Sequence, residues 1–597
     1  MHRQSTTRSN GIDRRSVLAA GVAGLATATS GCIDRVESAV GQETDRLSLS
    51  ITTVPADGDR EAVRIARHLE EHLEAVGIDA SLDMRSRSNF LEAVLIDHEF
   101  DLYVGRHPAD YDPDFLYETL HSAYANESGW QNPLGFSSMP VDGHLEAQRR
   151  VDGERRRERI ATLLEGLAEE KPFDPICFPE EHRVVRTDRV DGWNADHPES
   201  RHGYLGLEPS EDVDRLRVLV TDARISRNLN PLSATLREQG STIDLLYDSL
   251  ATEHDGELVP WLAEDWETTT IEETEIEETE DDDAITRATV TLREDCRFHD
   301  DEPVTADDVA FTYRFLEDTA LGRAEFTSPA PRYRSHVSTL EDVTVESDRE
   351  LRLEFSAGYE AAERALTVPV LPEHRWREQV DARAENTETF TAMQGQWGLV
   401  TMDNVPAVGS GPFRFESRSE REHLTLERYD DHFTRREDVD LPSVEIERLQ
   451  FGIDPGSASS IERVANDGAD LTASMLEAHA LDTIPDEPEI DYLESPSQTF
   501  YHVGFNARIE PFSNPHARRL VAGLLDKAWL VEEVFDGHAT PTATPLPEEW
   551  VPERLTWDGD DPITPFFGSD GDLDVEAARD AFEDTGYRYD DHGRLRL

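Results

Sequence analysis

The stretch LREDCRFHDDEPVTADDV, residues 292–309, combines the end of a strand, a turn and the start of a helix. Apolar and polar residues alternate over 288–292, which predicts a β-strand. Thr305 stands three residues before Asp308, a variant of the capping box that begins a helix. The apolar residues that follow share one face at helical spacing: Val309, Tyr313 and Leu316. The stretch therefore predicts a strand, a polar turn and an amphipathic helix.

The residues before this stretch predict further strands. DRLRVLVTD (214–222) reads as a strand, and GELVPWLAEDWE (256–267) reads as a turn into a second one. Residues 228–251 predict a loop followed by an amphipathic helix. The acidic run TTTIEETEIEETEDDD (268–283) is typical of a solvated hairpin tip.

The residues after it carry three more segments: VPVLPEHRW (368–376), VGSGPFRFES (408–417) and the run 501–547. In the last of these, Asn514 is a helix cap and Pro515 occupies the first helical turn. One apolar face is predicted for this helix, formed by Leu520, Leu524, Ala528, Val531 and Phe535.

Together these segments resemble the family 5 extracellular solute-binding proteins, the dipeptide, oligopeptide and nickel receptors of ABC importers. Residues 256–266 match the family pattern dG.lvP.LA..W, and residues 292–309 match LR..v.FHDG.pvtA.DV. Asp301 stands where the family usually has glycine, which puts the geometry of that turn in question. The resemblance implies an α/β, two-lobed periplasmic-binding-protein-like fold of type II, cluster C, with an extra subdomain.

The N-terminal part of the chain resembles the end of the same family. LSLSITTV (47–54) predicts a strand, and 59–84 predicts a helix closed by Gly77 and followed by a second strand. The inward face of that helix is formed by Val63, Ala66, Leu69, Leu73 and Val76. FDLYVGRHPADYDPDFLYETLHS (100–122) resembles the family's ligand-contacting loop. Residues 141–178 resemble its closing helices, and 185–194 its last strands.

This order of segments predicts a circular permutation. In the family's order the chain runs 215–597 and then 47–207, so Arg594–Leu597 is expected to join the strand that begins at Leu47. The loop EPSEDVD (208–214) is expected to connect the family's ordinary ends. The alternative is a partial duplication whose N-terminal piece packs beside an incomplete receptor.

The expected organisation has seven parts. They are a signal peptide (1–32), a tether (33–46), the C-terminal-type half of lobe II (47–180), a return to lobe I with the permutation loop (181–214), lobe I (215–258 and 388–500), the extra subdomain (259–387) and the first half of lobe II (501–597).

The charge of the chain excludes one class of partner. Its 597 residues carry 126 acidic and 58 basic side chains, a formal net charge of −68. Such a field repels phosphate backbones, so nucleic-acid binding is not expected. Because the acids are spread over the whole length, they favour a hydrated surface soluble in high salt, as in halophiles, over a specific cation-binding surface.

The first residues predict export. Arg14 and Arg15 precede the uncharged run 16–31, which is too short for a permanent membrane span and is typical of a twin-arginine signal. Small residues precede Cys32, as in a lipoprotein cleavage box, so lipidation of Cys32 is expected to anchor the protein on the outer face of the cell membrane. Two further cysteines, Cys177 and Cys296, either pair or remain buried thiols.

The resemblance also implies a binding cleft. Two segments near 178–186 and 497–504 are expected to cross between the lobes and to act as a hinge. Asp110, with Asp112 as second candidate, is expected to pair with a peptide's amino terminus. Asp-Tyr-Asp-Pro-Asp is equally a turn and helix-capping sequence. Further cleft candidates are Tyr501, Trp397, Glu238, Gly240 and Ser241, for which packing is the alternative.

An enzyme is not expected. HLEEH (68–72) fits the inverted zinc-protease pattern, with His68 and His72 as ligands and Glu71 as base, but the apolar face of the helix already explains this segment. No cofactor is expected. The expected partners are a peptide or other small solute and an ABC permease with its ATPase, and the receptor is expected to be a monomer. Nickel complexes, oligosaccharides or a transporter-independent sensor or chaperone role are the alternatives.

Overall fold

The computed structural model describes residues 46–108, 110, 112–193, 199–236, 242–271, 285–384, 391–497 and 499–596. Its first elements in chain order are β1 (Ser48–Thr53), α1 (Arg60–Ala75), β2 (Asp79–Met84), α2 (Arg87–Leu91), β3 (Leu102–Pro108), α3 (Phe115–Leu120), α4 (Met139–Arg149), α5 (Gly153–Glu170), β4 (Phe173–Arg186), β5 (Val190–Asp191), α6 (Arg201–Leu205) and β6 (Glu208–Pro209). Helix α1 begins at its cap Asp59, whose side chain accepts from the backbone N–H of Ala62. It ends before Gly77, whose φ of 92° lies in the left-handed region that glycine favours. The expected α1 and its inward face are confirmed.

The middle of the chain forms β7 (Arg215–Val220), α7 (Thr242–Leu246), β8 (Ala251–His254), β9 (Glu257–Pro260), β10 (Ala263–Ile271), β11 (Ile285–Leu292), α8 (Ala306–Glu317), β12 (Leu340–Val345), β13 (Glu350–Phe355), α9 (Tyr359–Ala362) and α10 (Glu373–Ala384). Thr305 and Asp308 form the expected capping box of α8. The described part of the expected helix within 228–251 is α7, and the residues directly before it, 237–241, lie outside the described residues. Strands β10 and β11 pair as the expected antiparallel hairpin, and the tip between them lies outside the described residues.

The remaining elements are β14 (Phe413–Ser419), β15 (His423–Arg428), β16 (Arg448–Ile453), α11 (Ser457–Ala465), β17 (Leu471–Thr472), β18 (Ile490–Pro496), β19 (Thr499–Phe505), α12 (Pro515–Ala522), α13 (Lys527–Val534), β20 (Ala539–Pro541), β21 (Gly568–Ser569), β22 (Asp572–Leu573), α14 (Val575–Asp584), β23 (Arg588–Tyr589) and β24 (Leu595–Arg596). Asn514 and Pro515 begin α12 as expected. The single helical face expected over 520–535 is wrong in one respect, because two helices form this face. The first helix, α12, ends at Gly523, and the second, α13, begins at Asp526, whose carboxylate caps it by accepting from Trp529 N.

One mixed sheet of 12 strands runs through both lobes. Its main path is β14-β15-β16-β7-β17-β4-β19-β3-β1-β2, with β18 and β20 also paired to β4. Strand β4 is the common member: its first half pairs with β19 and β20, and its second half pairs with β18 and β17. The long β4 and the consecutive strands β18 and β19 therefore form the two antiparallel segments that cross between the lobes.

Separate cores lie on either side of this crossing. Lobe I and the four-stranded sheet β10-β11-β13-β12 share one large apolar core that includes Trp261 and Phe298. Lobe II has one core on each face of β1, β3 and β19, around Leu69 and Phe115 respectively. No helix within the described ranges has the length and apolarity needed to cross a bilayer.

Residues from the two ends of the described chain meet in lobe II. The backbone N–H of Leu47 donates to Leu595 O at 3.0 Å, and Leu595 N donates to Gly77 O at 2.9 Å. Arg46 and Arg596 form an antiparallel bridge. The contact expected between the C-terminal strand and the strand at Leu47 is therefore present for the described residues.

The interior of lobe II contains both lysines of the chain, Lys171 and Lys527. Each ammonium donates to Asp174 Oδ1 and to Asp561 Oδ2, at 2.7 and 2.8 Å for Lys171 and at 2.8 Å twice for Lys527. Two positive and two negative charges thus form a compact buried cluster with no net charge. We call these four residues the lysine cluster.

Cys177 and Cys296 are buried free thiols. Cys177 lies on β4, and Cys296 lies just after β11. Burial raises the pKa of both thiols, that of Cys296 to about 12. Of the two possibilities left open by the sequence, unpaired buried thiols describe this structure.

Candidate functional site at the seam between the lobes

Loops at one edge of the lobe II sheet face lobe I, and we call the boundary between the two lobes the seam. Strands β1 and β3 are parallel, so the loops that follow them leave at the same edge. Strand β19 enters the sheet there, because Thr499 pairs with Pro108 at the end of β3. Ligands of open α/β sheets bind outside the carboxyl ends of the strands. This edge is therefore the candidate site.

The loop after β3 carries three aspartates that are all held by arginines. Arg149 binds Asp114 with two hydrogen bonds of 2.6 Å, from Nε to Oδ1 and from Nη2 to Oδ2. Arg156 binds Asp112 in the same bidentate way, at 2.6 and 2.7 Å. Paired parallel bonds of this kind fix both distance and orientation. The loop geometry is therefore set by side chains of α4 and α5.

A third arginine connects this loop to the extra subdomain. Arg364, in the short helix after α9, donates from Nη1 to Asp114 Oδ2 at 2.9 Å and from Nη2 to Asp110 Oδ2 at 2.6 Å. We call the following set the aspartate latch: Asp110, Asp112, Asp114, Arg149, Arg156 and Arg364. The latch joins lobe II to the subdomain across the seam.

Further hydrogen bonds reinforce the latch. Arg149 also donates to Ser335 Oγ at 3.0 Å and to Ser338 Oγ at 2.9 Å, both in the subdomain. The backbone N–H of Gly358 donates to Arg149 O at 2.7 Å. The Asp152 carboxylate accepts from the N–H groups of Tyr359 and Glu360 at the start of α9. The two sides of the seam are thus bonded through backbone as well as side chains.

The charges of the latch stabilise one another. Burial by itself would raise the pKa of Asp114, but Arg149 and Arg364 outweigh it, and the pKa is lowered. Burial likewise opposes the charge of Arg364, yet the neighbouring aspartates raise its pKa well above the ordinary value. Nearby Glu363 is different: burial raises its pKa to about 7.

The three aspartates differ in access to solvent. The side chain of Asp110 is 16% exposed, that of Asp112 8% and that of Asp114 1%. His336 Nε2 lies 3.6 Å from Asp110 Oδ2. Asp110 is therefore the most solvent-accessible of the three latch carboxylates.

The loop after β1 contributes a second polar group at the same edge. Asp59 Oδ1 accepts from the Tyr501 hydroxyl at 3.0 Å, and Asp59 Oδ2 lies 3.1 Å from Arg106 Nε. Glu61 follows on α1, where burial, with Asp59 and Glu477 adding to it, raises the pKa of its carboxyl to about 8.

This group also touches lobe I. The backbone N–H of Arg60 donates to Glu477 Oε1 at 3.4 Å. Glu61, Glu477 and His479 bring one ligand atom each within 4.8 Å of one another, so this part of the seam has the donor set of a possible cation site.

Comparison with known proteins identifies the family. The model of "Bacterial extracellular solute-binding proteins, family 5 Middle" matches residues 257–596, more than half of the 597 residues. The chain belongs to family 5 of the bacterial extracellular solute-binding proteins. This membership and the large mixed sheet confirm the expected two-lobed α/β fold.

Individual relatives match over shorter lengths. The dipeptide-binding protein DppE of Bacillus subtilis is 21% identical over 260 residues, which cover 42% of this chain and 43% of DppE. The oligopeptide-binding protein AppA of B. subtilis is 22% identical over 251 residues, 42% of this chain and 40% of AppA. The matched part therefore spans about two-fifths of the length of these relatives.

Solved structures of the family align with this family member at lower identity. NikZ from Campylobacter jejuni in complex with Ni(L-His) is 16% identical, with a TM-score of 0.43 over 65% of this chain and 66% of NikZ. AppA from B. subtilis in complex with a nonapeptide is 16% identical, with a TM-score of 0.43 over 64% of this chain and 68% of AppA.

The structure places the other expected cleft residues as follows. Tyr501 lies on β19 with 1% exposure and packs edge-on against Phe535. Trp397 is 7% exposed within the lobe I core, and its Nε1 donates to Thr319 Oγ1 at 3.1 Å. Both positions fit the packing alternative, and their contact with a ligand stays a prediction. The remaining expected sites lie outside the described residues: Glu238, Gly240, Ser241, Cys32, Arg14 and Arg15.

The protease-like HLEEH segment forms part of a helix contact in lobe II. His72 Nδ1 donates to Leu524 O at 2.7 Å, and His68 stacks on Trp529 with ring centroids 4.5 Å apart. Within the described residues, neither histidine belongs to a group of side chains placed to hold a metal ion. The segment is explained by packing of α1 against α13.

Sequence reasoning missed the arginines of the latch. Arg364 lies 254 positions from Asp110 along the chain, and no motif marks it. The one available signal was the local density of charge, because three aspartates within five residues require cations if the loop is buried. Which of the many arginines supply those cations depends on the tertiary fold.

Proposed function

We propose that this protein captures a peptide between its two lobes and delivers it to an ABC importer. Family membership supports solute binding, and the names of its relatives DppE and AppA favour peptides. The observation that carries the proposal is the seam itself, where two crossing segments join lobes that meet through Asp110 and Arg364. A hinge of this kind closes on a solute.

Asp110 is the proposed anchor for the peptide's amino terminus. It is the most exposed latch carboxylate, and an ammonium group forms strong charge-assisted bonds with such an oxygen. Arg364 and a bound ammonium then compete for Asp110, whereas Asp114 keeps both Arg149 and Arg364. Asp112, bound by Arg156 on both oxygens, is less available.

Ligand-dependent unfolding tests this proposal. The chain is heated in multimolar KCl with and without a pool of di- to pentapeptides, for wild type, Asp110→Asn and Asp112→Asn. A ligand at a hundredfold excess over Kd stabilises the folded state by about 2.7 kcal/mol. We expect the peptide-dependent rise in wild type and in Asp112→Asn, and its loss in Asp110→Asn.

Two results would contradict the assignment. A rise that survives in Asp110→Asn but disappears in Asp112→Asn moves the anchor to Asp112. No rise with peptides in wild type removes the peptide assignment, and the same assay with nickel chelates and oligosaccharides then identifies the solute class or removes solute binding altogether.

Export and anchoring form a separate part of the proposal. The paired Arg14 and Arg15 and the small residues before Cys32 support twin-arginine export followed by lipidation. With Cys32→Ala, the protein is expected in the culture medium instead of the membrane fraction, and with Arg14 and Arg15 both changed to Lys it is expected to stay inside the cell. Retention of Cys32→Ala in the membrane fraction would contradict lipid anchoring.

A further inference from the structure

Two histidines and a glutamate meet where β4 crosses between the lobes. His538, immediately before β20, places Nδ1 3.1 Å from Glu180 Oε2. His182 Nε2 lies 3.9 Å from the same oxygen. The two imidazole rings lie 4.8 Å apart, nearly perpendicular. All three ligand atoms lie within 4.8 Å of one another.

The backbone presents these side chains together. Strand β20 pairs antiparallel with β4, with Ala539 opposite Pro179, and Glu180 N donates to His538 O at 3.0 Å. Glu180 and His182 are two residues apart on one strand, so their side chains leave on the same face. The cluster is therefore built on paired strands and not on a free loop.

One nitrogen of this cluster is buried and unsatisfied. His182 has a side chain only 1% exposed, and its Nε2 has no hydrogen-bond partner among the described atoms. A buried polar atom without a partner costs free energy. Its nearest acidic neighbour, Glu180, is itself 37% exposed, so the cluster lies at the edge of the protein surface.

The other nitrogen of His182 is held from lobe I. The Tyr492 hydroxyl on β18 is hydrogen-bonded to His182 Nδ1, and the two rings stack with centroids 5.4 Å apart. Metal-binding histidines carry such a partner on the second nitrogen, which fixes the tautomer and the ring orientation. With the proton on Nδ1 donated to Tyr492, the Nε2 lone pair points into the cluster.

We propose that Glu180, His182 and His538 bind a divalent transition metal ion of the zinc type at the hinge. Two imidazoles and one carboxylate are a donor set that Zn²⁺ prefers, with the fourth position open to water. At metal–nitrogen distances of about 2.0–2.1 Å, tetrahedral ligand atoms lie about 3.3 Å apart, so the half-exposed His538 and Glu180 need only small side-chain rotations.

The ion would act on the hinge. His538 and Glu180 belong to the paired strands β20 and β4, and His182 is tied to β18 through Tyr492. A bound ion therefore fixes both crossing segments relative to lobe II. This role is independent of which solute the seam binds.

The test is competition for Zn²⁺ between the metal-stripped full-length chain and a chromophoric chelator, in multimolar KCl without peptide. We expect one tightly bound equivalent in wild type. Affinity is expected to fall at least 100-fold in His538→Gln and about 10–100-fold in Tyr492→Phe, which removes only the supporting bond. His479→Gln, in the separate Glu61, Glu477 and His479 group, is the matched control and is expected to bind as wild type does.

Two outcomes would overturn the proposal. If His538→Gln and Glu180→Gln both keep the wild-type affinity, or if His479→Gln loses it, the ion is bound elsewhere. Both substituted side chains are 37% exposed, so these variants keep the test valid even if the buried His182→Gln fails to fold. Circular dichroism of each variant verifies folding before titration.

Discussion

Arg364 Nη2 lies 2.6 Å from Asp110 Oδ2, although 254 positions separate the two residues in the chain. Arg364 belongs to the extra subdomain, and Asp110 belongs to the loop after β3 in lobe II. The guanidinium is 1% exposed and has its second carboxylate contact on Asp114. Arg364 therefore holds the loop after β3 in its conformation and, through the same hydrogen bonds, holds the subdomain against lobe II across the seam.

Replacement of Arg364 is expected to destabilise the protein strongly. Arg364→Met leaves two aspartates facing a neutral side chain, and removal of one partner from a buried ion pair costs about 3–5 kcal/mol. The free energy of unfolding from denaturant titration measures this. Arg377→Met, which breaks an exposed pair with Glu373 one helical turn away, is expected to cost less than about 1 kcal/mol. Equal effects of the two variants would contradict a buried latch.

Glu61 is expected to make stability depend on pH. Its pKa is about 8 in the folded protein against an ordinary 4.5, so the folded state holds this proton more tightly. Between about pH 4.5 and pH 8 the unfolded state binds fewer protons, and the contribution of Glu61 to the free energy of unfolding falls as pH rises.

Glu61→Gln removes this dependence. Relative to wild type, its free energy of unfolding is expected to rise by up to about 1.4 kcal/mol per pH unit across that range. Denaturant titrations at pH 5 and pH 8.5 measure the difference. Glu71→Gln on the exposed side of α1 is the control and is expected to follow wild type at both pH values. If the free energies of unfolding of Glu61→Gln and Glu71→Gln change equally between the two pH values, Glu61 is charged in the folded state.

The contribution of the lysine cluster to the free energy of unfolding is expected to depend on its charge balance more than on the presence of either lysine. Lys527→Met leaves one ammonium between Asp174 and Asp561 and is expected to cost about 3–5 kcal/mol. Adding Asp561→Asn restores neutrality and is expected to recover a substantial part of that loss. Denaturant titration of the single and double variants decides this. A double variant no more stable than Lys527→Met would mean that lost packing, and not an unpaired carboxylate, is the cause.

We infer that the segments of this chain follow a permuted family order, and a reordered chain tests this. The reordered chain begins with residues 212–597, continues with a short glycine-serine linker and ends with residues 46–211. Its new ends lie in the exposed loop at 210–212. Because Leu47 N and Leu595 O are 3.0 Å apart, the linker spans little distance. We expect cooperative unfolding at nearly the wild-type temperature. A control opened between His182 and Arg183, inside β4, is expected not to fold. Failure of both chains would favour the duplication alternative.

Sequence periodicity predicted the elements whose signals are local. The capping box at Thr305 and the glycine after α1 are contained within a few neighbouring residues, so the printed sequence already defines them. Asp301 shows how a departure from a family pattern is accommodated. It adopts a φ of 70°, a left-handed value that aspartate tolerates better than most residues, and the turn is closed by Asp301 N donating to Phe298 O.

Tertiary contacts decided the rest. The break between α12 and α13 falls at Gly523, where a Cβ atom would lie 2.7 Å from the ring of Phe567, a contact that the helical pattern does not contain. The candidate site followed the same division. The motif predicts Asp110 as a ligand contact, which stays a prediction, whereas no motif marks its partner Arg364 or the grouping of Glu180, His182 and His538, which the fold assembles from distant segments.

The enclosure of both lysines has a chemical consequence. Each lysine side chain is 1% exposed, and the other side chains counted as basic in the net charge are arginines, whose guanidinium groups do not react with acylating reagents under mild conditions. Succinimidyl esters, formaldehyde-based methylation and lysine acetyltransferases therefore meet no lysine amine on the folded surface. The fraction of chains acylated at Lys171 or Lys527, measured by mass spectrometry, therefore reports the fraction of molecules in which the interior of lobe II has become exposed.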